Sequence, residues 1–390
     1  MIYLNDFIYG LSIVIFIILA LQAVYLLVFA LAGHLLKAKN YNKAKYLTSF
    51  VIYIPSYKED SVIIETASAA LQIDYPFNKK HIVVIADSLQ PQTIAILRSL
   101  PIQLVEVSFE KSTKAKALNT ALQQTIGDYD NVLILDADNI CAKDCLYRLN
   151  DVLVAGFKVV QGQRVAKNTN TAFAMLDAVS EGINNHIFRK GHRATGLSCA
   201  IIGSGVSLNF ALFKSIMPEI TAVGGFDKEL ELRLLKQGIK FGYAEAALIY
   251  DEKTAHPVVF ENQRRRWLSA QLHYMQTYVG EGFVQLFKGN VDFFDKVVQT
   301  LLLPRILMLG ITFIAYLLSL IQGSALPYEY WLVLCCVTFI AVVISVPVNL
   351  INKKLAVAVI SLPSAFLRMC KLMFKLKGAN KTFIHTPHGI

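Results

Sequence analysis

From Phe7 to Gly33 the chain carries no charged residue. Wound as a helix, a run of that length crosses a hydrocarbon core of about 30 Å with room for tilt. In lipid, helix is also the only way a single segment satisfies its own backbone. The start of the chain is therefore constrained to be helical and bound to a bilayer. A cleavable signal sequence has an apolar part of about 7–15 residues that ends at a small-residue site. Here the run is longer and passes into Lys37, Lys39, Lys43 and Lys45, so a retained anchor is expected over residues 1–36.

The rest of the composition agrees. The chain is 55% hydrophobic and 17% charged, against about 25% charged in ordinary soluble domains. Apolar segments at 306–322 and 331–351, separated by a loop (323–330) without Lys or Arg, are expected to form two crossings within residues 301–352. The stretch 355–367 is short and closes at Arg368 and Lys371. It is expected to lie in the interface rather than cross, with a basic tail completing residues 353–390. Cationic residues collect in cytoplasmic flanks. The lysines after the first helix, Lys353-Lys354 and the tail (371–381) all point inward, which puts Met1 outside. These flanks, facing anionic headgroups, account for the net charge of +10. No motif indicates nucleic acid. The six cysteines include no CxxC pair and are expected to stay reduced. His385 and His388 read as part of a polar tail rather than a metal site.

About 250 residues separate the first two membrane segments, room for one α/β domain (46–255) and a membrane-facing extension (256–300). Apolar runs at 50–54, 81–86, 102–107, 132–135 and 158–161 alternate with helix-like stretches at 62–72, 93–99 and 114–124. That alternation predicts a mainly parallel sheet with ligands at the carboxyl ends of its strands. Those ends are polar: Pro55-Ser56-Tyr57-Lys58-Glu59-Asp60, then Asp87-Ser88, then Asp136-Ala137-Asp138. No Gly-rich phosphate loop is present, which removes most of the case for a dinucleotide enzyme or an ATPase.

Asp136 and Asp138, at i and i+2 after an extended run, are expected to point to one side. Two such carboxylates can hold Mg²⁺ or Mn²⁺ and leave room for a diphosphate. Taken alone the pair also reads as a solvated turn. Asp87 and Glu59 can accept hydrogen bonds from a base or ribose, or cap the helices that follow. Lys114 can sit beside phosphate or face solvent. Gly203-Ser204-Gly205 permits close approach to a ligand, or is a plain turn. Asp227 and Glu229 open a helix predicted over 228–237, where acids favour the dipole. Either can also be a general base. In Gln263-Arg264-Arg265-Arg266-Trp267, an indole able to stack on a ring adjoins guanidinium groups able to grip diphosphate.

In this order the pieces resemble the membrane-integrated glycosyltransferases of family 2, the superfamily of cellulose, chitin and hyaluronan synthases. The resemblance covers about residues 48–274. It rests on Tyr57 to Glu59, Asp87, the stretch Lys114 to Asn119, the Asp136/Asp138 pair and Gln161-Gly162-Gln163. Gly203-Ser204-Gly205, the 227–229 acids and a QxxRW signature at Gln263, Arg266 and Trp267 complete it. It implies a GT-A fold, an inverting reaction, a UDP-sugar donor and a carbohydrate or glycolipid acceptor. Tyr57, Glu59, Asp87 and Lys114 would contact the nucleotide, and Asp136 and Asp138 the donor and its divalent cation. Gln263, Arg266 and Trp267 would close over the donor, with Trp267 and Gly203 to Gly205 lining the acceptor path. The family's base is the Asp of a Thr-Glu-Asp triplet before a Leu-Glu-Leu-like run. Leu230-Glu231-Leu232 here puts Glu229 in that register and Asp227 where Thr is expected, so Glu229 is the expected base and Asp227 the alternative. Lys116 replaces the small residue of the lysine motif, leaving the sugar open. Transfer to a polyprenyl phosphate and a silent role beside envelope-synthesis partner proteins are the other readings; QxxRW counts against the first and the intact acids against the second.

Overall fold

The computed structural model describes residues 2–36, 41–254, 257–321 and 325–376. Lys37, Lys39, residues 323–324 of the predicted loop, most of the basic tail and the His385/His388 pair lie outside them. The apolar runs become strands, with helices between them as the alternation predicts. The strands are β1 (Phe50–Tyr57), β2 (Lys80–Asp87), β3 (Gln103–Val107), β4 (Asn131–Ile134), β5 (Ile140–Cys141), β6 (Val159–Ala166), β7 (Val206–Asn209) and β8 (Phe241–Asp251). They form one sheet in the order β3-β2-β1-β4-β7-β6-β8-β5. The pairs β1–β2, β1–β4, β2–β3 and β6–β8 are parallel, whereas β7 runs antiparallel to both β4 and β6, and β5 to β8.

Side chains alternate across the sheet, as the two-residue period demands. Val51, Tyr53, Val83, Ile85, Val132 and Ile134 face helices Lys114–Gln124 and Phe226–Lys236. Phe50, Ile52, Ile54, Val84 and Leu133 face helices Ile63–Leu71, Pro91–Arg98 and Cys145–Val154. Both faces are covered, so β1 and β2 read as continuous apolar runs. Thr113 caps helix Lys114–Gln124 by accepting the Lys116 N–H (3.2 Å). Gly225, with φ +70, starts helix Phe226–Lys236. A Cβ there would lie 2.9 Å from Ala270 and 3.0 Å from Tyr274 of the long helix Pro257–Phe287, so glycine is needed for both conformation and contact.

Among the described residues one helix, Tyr9–Leu35, is by itself long and apolar enough to cross a membrane. The two expected C-terminal crossings contain helices Arg305–Ser319 and Tyr328–Ile344, of 15 and 17 residues. The first is joined at a 59° bend to Val291–Leu301, and Lys353–Val359 meets Leu362–Met373 at 49°. The N-terminal helix is also built into the core. Leu19, Ala23, Leu26, Phe29 and Ala30 share a core with Met175, Val179, Ile183 and Ile187, which follow β6, and with Trp331, Leu334 and Ala341. Gln22 exchanges two hydrogen bonds with the Leu303 backbone (2.7 and 3.0 Å). The Tyr25 hydroxyl donates to Asp295 (2.7 Å) and lies 2.9 Å from His192 Nε2. A Cβ on Gly191 would meet the Phe29 carbonyl oxygen at 2.2 Å, so the backbones of helix and domain touch.

Candidate active site

Strand ends, two helix starts and the long helix converge on a cavity of about 980 Å³. Tyr57 and Asp87 are paired across the ends of β1 and β2 and line it together with Glu59. Asp87 is buried and accepts from the Ser88 hydroxyl (3.0 Å). Lys58 and Ser88 hold φ of +56 and +58. Both follow these strand ends, so the backbone is strained where it bends around the cleft.

The aspartate pair comes together for a different reason from the one expected. The strand stops at Ile134, and the Asn139 N–H donates to the Asp136 carbonyl (3.1 Å). A tight turn, not an extended segment, brings the carboxylates together. Asn139 is its brace: Oδ1 accepts from the Asp136 N–H (3.2 Å), and Nδ2 reaches Asp138 (3.2 Å) and Asp251 (3.1 Å). The Ser204 hydroxyl bonds to Asn139 and accepts from the Asp136 N–H (3.2 Å). Of the predicted glycine-serine triplet, Gly203 alone lines the cavity. Ser204 and Gly205 lie behind the turn, where Gly205 N–H donates to the Ile134 carbonyl (2.7 Å) and Gln161 bonds both backbone carbonyls.

Asp136, Asp138 and Asp251 each offer an oxygen within 4.8 Å of the others. Oxygen donors clustered in this way suit Mg²⁺ or Mn²⁺. The Lys114 ammonium bonds to Asp136 and to the Gly203 carbonyl (2.6 Å), so positive charge already belongs beside the pair. Asp251 was not foreseen. It ends β8 as Asp87 ends β2, an acid at the carboxyl end of a strand, and that signature was available in the sequence. It is bonded to Lys253 (2.7 Å) and lies 3.5 Å from Arg164. Arg164 and Arg189 in turn hold Glu181 at 3.0 and 2.9 Å. Burial alone would raise the Asp251 carboxyl, but Arg164 and Lys253 outweigh it and hold the group below its ordinary value. Glu181 is depressed in the same way by Arg164, Arg189 and Lys253 against the effect of burial.

The two candidate bases separate clearly. Asp227 lines the cavity beside Gly203. Among the described residues its carboxylate joins no hydrogen bond or ion pair within bonding distance. Glu229 is buried on the other side of the helix start, bound to Arg233 (2.8 Å) and accepting from the Thr221 N–H (3.2 Å). It does not line the cavity. The Glu229–Arg233 spacing is the i,i+4 pairing of a helix surface, a signal the sequence contained. Gln263, Arg266 and Trp267 all line the cavity from the long helix. Burial pulls the Arg266 guanidinium below its ordinary value, while the charges of Asp136 and Asp227, which line the same cavity, oppose that shift. Gln263 Oε1 is buried without a hydrogen-bond partner. Arg264 stacks between Phe260 (4.8 Å) and Trp267 (4.6 Å) and pairs with Asp177.

Residues 48–270 match the family described as glycosyltransferase like family 2. The chain belongs to that family. This glycosyltransferase is 25% identical over 262 residues to the probable glycosyltransferase YdaM of Bacillus subtilis, covering 61% of this chain and 59% of that protein. It is 24% identical over 230 residues to the beta-monoglucosyldiacylglycerol synthase of Synechocystis, covering 55% and 46%. A 112-residue segment is 34% identical to the UDP-forming cellulose synthase catalytic subunit of Komagataeibacter sucrofermentans, covering 28% and 14%. The chain thus spans less than two thirds of each relative. Among solved structures, the mannosyltransferase of Pyrobaculum calidifontis in complex with GDP-Man and Mn²⁺ superposes with a TM-score of 0.53. The match covers 86% of this chain and 98% of that one at 17% identity, which establishes the shared GT-A fold.

The buried charges give a stability prediction. Asp251 has a folded-state pKa below its unfolded value of about 3.9. Its contribution is therefore fully present above that value and lost as pH falls through the folded one. Asp251→Asn should cost about 3–5 kcal/mol by stranding Lys253 and Arg164. It should also flatten the acid limb of a stability-versus-pH curve measured by thermal unfolding. An unchanged melting temperature for the variant at pH 7 would contradict the assigned network.

Proposed function

We propose that this enzyme transfers a sugar from a UDP-sugar to an acceptor hydroxyl by a single inverting displacement, with Asp227 as the base. One observation carries the reading: Asp227, whose carboxylate has no bonding partner among the described residues, lines one cavity with the half-buried Arg266 and the acidic turn. A base must be free to take a proton, and Glu229, committed to Arg233, is not. Asp227 would accept the hydroxyl proton as the acceptor oxygen attacks the anomeric carbon. The bond from that carbon to the diphosphate breaks on the opposite face. Arg266 and Lys114 then meet the negative charge that leaves with the nucleotide. Asp136 and Asp138, with Asp251 behind them, would hold a divalent cation whose chemistry is to neutralise the diphosphate. Tyr57, Glu59 and Asp87 would contact the nucleoside, and Trp267 would stack on a sugar ring at the acceptor end. The UDP preference rests on the UDP-forming relative, and a polysaccharide or glycolipid acceptor on the resemblance and on the glycolipid-synthase relative.

Purified full-length protein in lipid, given radiolabelled UDP-sugars with Mg²⁺ or Mn²⁺, should transfer label from one of them. Excess EDTA or Asp138→Ala should abolish that transfer with the fold intact by circular dichroism. Full activity in EDTA would remove the metal from the scheme.

In the same assay Asp227→Asn should lower turnover by about 10²–10⁴ while UDP affinity stays within about twofold. Glu229→Gln should keep most of its turnover. The opposite ranking would return the base to Glu229.

We further propose that the enzyme crosses the membrane more than once, with the cavity in the cytoplasm where nucleotide sugars are made. Lys43 and Lys45 after the first helix support this orientation. Single cysteines at Ser112 and Ser324, in a cysteine-free background, can be probed on intact cells with an impermeant thiol reagent. Ser324 should label and Ser112 should not. Labelling at Ser112 alone would place the site on the side without donor and sink the topology.

A further inference from the structure

The cavity does not end at the aspartate turn. It continues from Arg266 and Trp267 past Leu176 and Val179 to a wall built by helices Tyr328–Ile344, Lys353–Val359 and Leu362–Met373. Phe339, Val343, Ile351 and Val359 line this far end and are 61%, 44%, 59% and 46% exposed. Residues that face both the cavity and the outside form a mouth, and this mouth is wholly apolar. Phe339 and Val343 belong to the same apolar helix, Tyr328–Ile344, that packs through Trp331, Leu334 and Ala341 in one core with the N-terminal helix. A water-soluble sugar chain gains nothing from such an entrance. A hydrocarbon chain arriving sideways from a bilayer does.

Between the apolar mouth and the acidic turn lies Arg305, which also lines the cavity. Its guanidinium donates to the Asn184 side chain (2.7 Å) and to the Ser180 carbonyl and hydroxyl (both 3.1 Å). All three acceptors are neutral. Among the described residues no carboxylate lies within 4 Å of Arg305. Nearby Glu181 is already held by Arg164 and Arg189, and Asp177 by Arg264. A cation placed in an apolar-walled cavity without a counter-charge calls for an anion. A planar, forked donor suits phosphate in particular.

We propose that Arg305 and the apolar mouth form a binding site for an anionic phospholipid-type acceptor. Its phosphate ester would rest on Arg305, its chain would lie against Phe339, Val343 and Val359, and its headgroup hydroxyl would reach toward Asp227. This deepens the glycosyltransferase reading, on which it rests, by naming the acceptor class. The hydroxyl oxygen forms the new bond to the anomeric carbon, the bond to the nucleoside diphosphate breaks, and the proton goes to Asp227. The phosphate ester is untouched.

The test uses full-length protein in neutral detergent, titrated calorimetrically with short-chain phosphatidylglycerol, the matching diacylglycerol, and inorganic phosphate. Phosphatidylglycerol should bind about ten- to a hundredfold more tightly than either of the others. Arg305→Gln should erase its advantage over diacylglycerol, and Arg305→Lys should restore part of it. Val343→Trp, which narrows the mouth without touching the charge, should weaken both lipids and leave phosphate unaffected. Diacylglycerol binding as well as phosphatidylglycerol, or no response to Arg305→Gln, would overturn the proposal. Equal binding of inorganic phosphate would also overturn it, by reducing the site to a free-anion site. UDP binding is measured on the same samples. Its loss in wild type would strike the glycosyltransferase reading, whereas retained UDP binding with no lipid preference would strike this inference alone.

Discussion

Glu181 is the carboxylate on which the rest of the site turns. It lies on helix Ala172–Asn184, whose apolar face packs against the N-terminal helix, and its charge points the other way, into the domain. There it holds Arg189 and Arg164, and Arg164 reaches Asp251 beside the aspartate turn. Buried ions persist only when each has its partner in place. Moving the helix would therefore strand an arginine, which would in turn release Asp251. The N-terminal helix and the acidic turn are thus linked through one helix, with Glu181 as the joint.

Much of this was legible in the sequence because it depended on local periodicity. The runs at 50–54, 81–86 and 132–135 became strands because continuous apolarity marks a strand covered on both faces, and helix Lys114–Gln124 begins at its Thr113 cap. The strands that were not seen are those whose partners are distant. The pairing of β7 with β4 brings together Asn131 and Asn209, a contact that no local pattern announces. In β8, Ala244, Glu245, Ala246 and Ala247 blur the alternation. The acids at positions 136 and 138 were found by their spacing, although the turn that unites them is set by Asn139 and Ser204 from outside the motif. Asp251 carries a local signal, an acid at the carboxyl end of a strand, but β8 itself was hidden by its blurred alternation. Arg305 entered only with three-dimensional proximity, because it stands in no motif.

The division of labour between Asp227 and Glu229 shows how two acids in one helical turn acquire different chemistry. Successive helical positions two apart face nearly opposite ways. Glu229 turns inward to Arg233 and the Thr221 backbone and becomes part of the scaffold. Asp227 turns to the cavity and keeps its lone pairs. Gly225 makes this possible by letting the helix start close against Ala270 and Tyr274, which carries Asp227 to within reach of the charge of Arg266.

The Gln22–Leu303 hydrogen bonds join residues 281 positions apart. On the ribosome, Gln22 is made 281 residues before Leu303. In a bilayer, Gln22 would therefore sit in hydrocarbon without its partner until Leu303 is made, at the cost that polar groups in lipid carry. Assembly is completed only when the segment carrying Asp295 and Leu303 arrives. A chain cut short before that point leaves exposed polar groups in its first helix, a mark by which membrane quality control can tell an unfinished enzyme from a finished one. The same packing means that removing the first helix would uncover Val179, Ile183 and Ile187 to water.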